Sequence, residues 1–229
     1  MKTKVLLALA LLGGFAASAQ ALTIVGSKHD LSITTAGSVR VTGSNQTCVF
    51  CHTPHNAKVN KLLWNRANTL SGASFNIYTS YNRTVMRDGL ISRTALSNGS
   101  TSLLCLSCHA LATSNALATN TVPSVALVAD APATARWAAT TGNMTDLSSD
   151  HPVGINYLAA RALDTSALVA ATGTTHVGAA TKVRLFSNSV TGAGSMECAS
   201  CHDVHDNTQG KFLAISNTAS ALCITCHVK

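Results

Sequence analysis

A chain of 229 residues carrying a net charge of +7, with 11% charged and 4% aromatic residues, is long enough for one ordinary domain, but its charge is less than half the roughly 25% usual in globular proteins. No apolar run reaches the roughly 18 residues of a membrane span, and the lysines and arginines are scattered singly, so the sequence argues against both a membrane anchor and a nucleic-acid partner. With so few aromatic side chains, Ala, Leu and Val must build the core unless something else supplies apolar bulk.

The chain opens on an expected export signal, residues 1–21: Lys2 and Lys4, an apolar stretch from Val5 to Phe15, and the small-residue cleavage pattern Ala19-Gln20-Ala21. The mature chain, residues 22–229, is read as a single domain whose net charge falls from +7 to +5 with the loss of the two lysines. His29, in Ser27-Lys28-His29-Asp30-Leu31-Ser32, stands in the N-terminal arm. The first cysteine motif follows at 48–52, Cys48-Val49-Phe50-Cys51-His52, with His55 three residues on. The second, at 105–109, is Cys105-Leu106-Ser107-Cys108-His109, within a short helix expected over Leu103 to Leu111.

Residues 111–148, rich in Ala, Thr and Ser with Pro123 and Pro132, read as an irregular covering segment. His151 lies between Asp150, expected to orient its free ring nitrogen, and Pro152, which favours an extended backbone. A helix is expected over Val153 to Leu163, then His176, then a small hairpin of Lys182 to Phe186 with Ser189 to Met196. The third motif, 198–202, is Cys198-Ala199-Ser200-Cys201-His202, with His205 again three residues on; the fourth, 223–227, is Cys223-Ile224-Thr225-Cys226-His227. Further short helical pieces are expected after each motif. The overall expectation is a mostly irregular fold with short helices and one small β-hairpin.

All eight cysteines fall in C-x-x-C pairs, and every pair is followed by histidine. This is the attachment signature of c-type haem: two thiols reach the vinyl groups on one porphyrin edge, and the adjacent imidazole ligates the iron. Zinc also accepts C-x-x-C pairs but explains neither the four adjacent histidines nor the export signal. Disulfides would close loops too small to stabilise much, and a thioredoxin-like motif would occur once in a βαβ setting. Four covalently attached haems would supply the missing apolar bulk, so the chain is expected to wrap around stacked macrocycles. Their propionates would bring the loaded protein near neutrality.

Each iron then needs a sixth ligand. Beyond His52, His109, His202 and His227, the candidates are His29, His55, His151 and His205, with His176 as competitor. Five imidazoles for four places imply bis-histidine irons with no open position, suited to passing electrons rather than to catalysis. Met86, Met144 and Met196 are read as packing residues rather than thioether ligands.

The run Cys198 to His205 through Leu222 to His227, together with Ser27 to Ser32, Cys51-His52-Thr53-Pro54-His55-Asn56 and Asp150-His151-Pro152, resembles multihaem c-type cytochromes with paired CxxCH motifs, of the kind exported by metal-reducing bacteria. At this length it looks like the tetrahaem extracellular cytochromes that polymerise into nanowire filaments. That resemblance implies electron transfer along a continuous haem stack and identical subunits joined head to tail. It also implies other redox proteins or extracellular acceptors as partners, and allows a histidine of one subunit to complete a neighbour's haem. His29, near the mature N-terminus, is the residue expected to bridge. A monomeric periplasmic shuttle and a multihaem reductase are the alternatives.

Overall fold

Helical turns fall on the cysteine motifs themselves. The computed structural model describes residues 24–32, 41–42, 45–53, 55, 57, 61–64, 75–77, 100–109, 128–129, 144, 146–148, 150–188 and 192–229; the expected export signal lies outside them. The first motif is a 3-10 turn, Cys48–Phe50, and the second lies in α1, Thr101–His109. After α2, Tyr157–Leu163, the third is α3, Cys198–Cys201, and the fourth closes α4, Ala221–Cys226. Helical spacing sets residues three apart on one face, which puts each thiol pair on one side of its turn. The turns then stop because the motif histidines take extended backbone, His202 at φ −119°, ψ 132° and His227 at φ −105°, ψ 129°. The expectation of helices after the motifs is thereby corrected at the third and fourth motifs.

Both longer helices start away from their expected positions, for capping reasons. Ser100 precedes α1 and its Oγ accepts the Ser102 N–H at 3.1 Å, so the helix begins at Thr101 rather than at Leu103. The helix expected from Val153 begins only at Tyr157, because Ile155–Asn156 is drawn into a sheet and the Asn156 side chain caps the Ala159 N–H at 2.9 Å.

Strands are more numerous than the single hairpin expected. They are β1 (Val41–Thr42), β2 (Asn76–Ile77), β3 (Val128–Ala129), β4 (Asp146–Leu147), β5 (Ile155–Asn156), β6 (Ala171–Thr172), β7 (His176–Val177), β8 (Ala180–Arg184), β9 (Phe186–Asn188) and β10 (Gly192–Met196). Among the described residues they form two three-stranded sheets, β5-β10-β9 and β6-β7-β8, and two pairs, β1-β3 and β2-β4. The expected hairpin partners are therefore re-dealt: β10 pairs with β9 and β5, whereas residues 180–184 pair with β7. The chain breaks between β8 and β9 at Leu185, which is buried and takes its N–H to the Thr175 carbonyl at 2.8 Å. Residues 128–129 and 146–147 give the expected covering segment two short anchors, antiparallel to β1 and parallel to β2.

Two apolar clusters hold these elements. Phe75, Leu103, Leu106 and Leu147 form one, with Met144 and Val153 packed on it. Tyr157, Val177, Val183, Leu185, Met196 and Cys226 form the other. Met144 and Met196 thus serve packing, and Met86 lies outside the described residues. Gly194 lets α2 lie on β10: its φ is +85°, and an added Cβ would stand 2.6 Å from Leu158 Cγ. Among the described residues no helix is long and apolar enough to cross a membrane.

Tyr157, 2% exposed, ties the second cluster to the fourth motif. Its hydroxyl donates towards the Val169 carbonyl at 2.8 Å and the Cys226 carbonyl at 3.1 Å, and burial pushes its pKa up to about 12. Tyr157→Phe is expected to cost about 1–3 kcal/mol, the range for leaving a buried acceptor short of a donor. A denaturant melt of the holoprotein checks this, and an unchanged midpoint would show the hydroxyl to be idle.

Candidate metal centre

Histidines from distant parts of the chain meet in pairs. The His29 and His109 ring centres are 6.0 Å apart, those of His52 and His205 are 6.0 Å apart, and those of His151 and His227 are 6.2 Å apart. Each pair joins one motif histidine to one of the histidines outside the motifs.

The N-terminal arm is positioned by Asp30, 1% exposed. Its carboxylate accepts from the Gly26 N–H at 2.8 Å, the Ser32 N–H at 3.1 Å, the Ser32 hydroxyl at 2.5 Å and the Thr47 hydroxyl at 3.2 Å. That last bond fastens the arm to the residue before Cys48. His29 also sets its ring edge-on to Phe212, 4.4 Å between centres, so one turn touches the first, second and third motif regions. Burial, then His109, His202 and His205, hold its pKa down to about 4, and its Nδ1 is buried without a hydrogen-bond partner. Within its own chain His29, the residue expected to bridge, faces His109.

A second device recurs at the first and third motifs. His52 Nδ1 lies 2.6 Å from the Leu62 carbonyl, and His202 Nδ1 lies 3.0 Å from the Lys211 carbonyl. In each case the carbonyl belongs to the first of two consecutive non-glycine residues in left-handed conformation, Leu62 and Leu63 at φ 59° and 53°, Lys211 and Phe212 at φ 51° and 55°. The residue after each motif histidine then bonds the second of the pair, Thr53 N–H to Leu63 at 3.0 Å and Asp203 N–H to Phe212 at 2.8 Å. Left-handed backbone at such residues carries strain, and strain of this kind persists where the surroundings enforce it. The consequence is chemical: an Nδ1–H donated to a carbonyl leaves Nε2 with its lone pair free for a metal.

His151 is oriented likewise, but by the Pro152 carbonyl at 3.0 Å rather than by the expected Asp150. His205 Nδ1 lies 3.4 Å from the Asp203 carboxylate. His176 Nδ1 is 2.9 Å from the Thr175 hydroxyl, and His55 is exposed. Burial, with His202 adding, lowers the pKa of His109, and burial, with His151 adding, lowers that of His227. These imidazoles are thereby kept in the neutral form that ligates metals.

Of the motif cysteines, Cys48 and Cys223 are exposed, Cys226 is buried, and Cys51, Cys105, Cys108, Cys198 and Cys201 lie between. The second and third motifs adjoin, since a hydrogen bond to the Cys198 thiol, reinforced by burial, raises the Cys105 pKa. The third and fourth also adjoin: burial, then Cys201 and Cys223, push Cys226 up to about 11.

Haem fits this donor set. An imidazole nitrogen stands about 1.1 Å from its ring centre and about 2 Å from a bound metal, so two imidazoles on opposite sides of one iron stand about 6 Å apart centre to centre. All three pairs meet that spacing, and the buried, unpartnered Nδ1 of His29 and the thiols beside each pair complete the fit. Bound through its thioethers, a haem supplies a one-electron iron couple.

Residues 191–229 match the family described as Doubled CXXCH motif. The match supports a multihaem c-type cytochrome: these motifs imply covalently bound haem c and a haem-binding electron-transfer protein. The chain matches no curated protein.

The histidine pairing and the holding groups Asp30, Leu62 and Lys211 were not readable from sequence. The repeated C-x-x-C-H-x-x-H at 48–55 and 198–205 is the signal that would have suggested equivalent supports. Glu197, the chain's sole glutamate and placed directly before Cys198, was a further signal.

Proposed function

We propose that this chain is an exported tetrahaem c-type cytochrome that carries electrons along closely packed bis-histidine haems and polymerises head to tail into an extracellular filament. The observation that carries the electron-transfer part is the three imidazole pairs at 6.0–6.2 Å. Haems held by Cys48 and Cys51 with His52 and His205, by Cys105 and Cys108 with His109 and His29, and by Cys223 and Cys226 with His227 and His151 would each be saturated. The adjoining thiols of the second, third and fourth motifs support a continuous run of haems rather than isolated ones. The reading is of a carrier and not an enzyme, because saturated irons offer substrate no open position.

Polymerisation rests on the fourth iron. Among the described residues, which include all nine histidines, no ring pair at this spacing includes His202; the imidazoles it lies near, His29 and His109, face each other. The two C-x-x-C-H-x-x-H segments share their supports, and His205 of the second faces His52 of the first within one chain. Continued from chain to chain, the same relation presents His55 of one copy to His202 of another. Such a contact is heterologous and does not close, so it grows. The low charge offers little repulsion between copies.

Mass spectrometry of the protein made with cytochrome maturation is expected to give the chain from Leu22 plus four haems, with low-spin absorption in the assembled form. Three haems or fewer would sink the tetrahaem assignment. A full equivalent of carbon monoxide binding to assembled protein would favour an open-site reductase, and a monodisperse monomer with four low-spin haems the periplasmic shuttle.

A further inference from the structure

Several of the histidines share a support that His29 lacks. The Nδ1 atoms of His52, His202 and His151 stand 2.6, 3.0 and 3.0 Å from the carbonyls of Leu62, Lys211 and Pro152, and that of His205 stands 3.4 Å from the Asp203 carboxylate. Among the described residues nothing accepts a hydrogen bond from His29 Nδ1, although the atom is buried. The ring is held instead by the buried side chain of Phe212, with 4.4 Å between ring centres and an interplanar angle of 61°. An aromatic ring fixes an imidazole in place, but as an acceptor it is far weaker than a carbonyl or carboxylate oxygen. Phe212 is itself anchored through its backbone, its N–H donating to Asn207 Oδ1 at 3.0 Å and its carbonyl accepting the Asp203 N–H at 2.8 Å.

An imidazole bound to a metal through Nε2 carries its proton on Nδ1. Where that N–H donates to an oxygen, the ring is the more basic ligand, which favours ferric over ferrous iron and lowers the reduction potential. The first and second motifs differ most in this respect. On the cytochrome reading above, on which this inference rests, both imidazoles of the first haem have an oxygen at Nδ1, from Leu62 and Asp203, whereas His29 of the second has none. Burial acts in the same direction. Cys48 is exposed while Cys105 lies between the buried Leu104 and Leu106, and an apolar surround disfavours the ferric state with its additional positive charge. We propose that His29, held by the Phe212 ring instead of by a hydrogen bond, is a weakly donating ligand that sets the second-motif haem above the first-motif haem in reduction potential. The run of haems then carries a step in potential made by ligand support rather than by ligand type.

The test is redox titration of the holoprotein followed by NMR of haem methyl signals assigned to each motif, on the wild type and on Phe212→Gln and Phe212→Leu proteins shown by mass to carry the wild-type haem complement. In the wild type the second-motif haem is expected to be reduced before the first. Phe212→Gln offers His29 an amide oxygen without adding charge, and is expected to lower the ferrous-to-ferric ratio of the second-motif haem at a fixed potential on the order of tenfold. Phe212→Leu offers no acceptor and is expected to cause no such fall. A purely structural role for the ring would move that haem alike in both variants, and this result would overturn the proposal, as would a first-motif haem that is reduced before the second in the wild type. If neither variant accumulates, the wild-type order decides alone. A protein without covalent haem, or a second-motif iron unaltered in His29→Ala, would instead fail the cytochrome reading and its ligand pairing, which is distinguishable because the first leaves no signals to order and the second leaves His29 unbound.

Discussion

Replacing Cys105 with serine is expected to abolish the folded protein, whereas Cys48→Ser should leave a folded chain short of one covalent haem attachment. Cys105 lies in α1 between Leu104, 4% exposed, and Leu106, 1% exposed, two positions from Leu103 at 0%. Its thiol meets that of Cys198, and the Cys198 N–H donates to the Ser102 hydroxyl of α1 at 3.0 Å across the same joint. On the proposed reading a macrocycle seated there would be shared core for two motifs, with more apolar area than any side chain in the cluster. Losing it removes a large share of a total stability of about 5–15 kcal/mol. Cys48 is exposed on a short 3-10 turn, so its loss weakens one attachment at the edge. Haem-stained gels and intact mass of the purified variants read the difference. Cys105→Ser protein accumulating at wild-type yield, protease-resistant and short of one attachment, would show that the joint does not depend on its haem.

His55→Ala is expected to stop polymerisation while leaving four covalent haems, with one iron changed in spin state. The proposed ligand relation gives His55 to the His202 iron of another copy, so each junction between subunits would hold an iron–imidazole bond as well as surface contact. Removing a metal ligand at a weakly charged interface leaves little to hold the copies together. His29→Ala should behave differently: its imidazole faces His109 of the same chain at 6.0 Å, so the altered iron belongs to the second motif and filaments persist. His176→Ala, at a half-buried strand position where the ring contacts the Thr175 hydroxyl, should change neither. Electron micrographs of the three variants, with absorption spectra of the same samples, separate these outcomes. Filaments unchanged in His55→Ala and lost in His176→Ala would assign the bridging imidazole to His176.

The attachment chemistry was legible in the sequence because it is local. Two thiols and an imidazole within five residues, as in Cys223 to His227, need only one helical turn to be presented together, and any fold that permits the turn permits the chemistry. Helix existence at 101–109 and 157–163 was legible for the same reason, while the boundaries moved with caps, Ser100 and Asn156, whose partners decide where a helix starts. Strand pairing was less so: β8 and β10 were both visible as extended runs, but their true partners, β7 for one and β9 and β5 for the other, depend on Leu185 turning into the core.

What the sequence by itself determined is therefore the attachment chemistry, thiol pairs each followed by an imidazole. Only the tertiary structure decided which groups face each other. His52 meets His205 and His29 meets His109 across long stretches of intervening chain, and no local pattern encodes a contact between residues so far apart. The same holds for Glu197, which is buried where α1 brings the Ser100 and Ser102 hydroxyls to it. Periodicity and motif spacing report what neighbouring residues can do together. Pairings across the chain are fixed by packing, here by the Asp30-pinned arm, the left-handed turns at 62–63 and 211–212, and the apolar clusters that hold the motifs in contact.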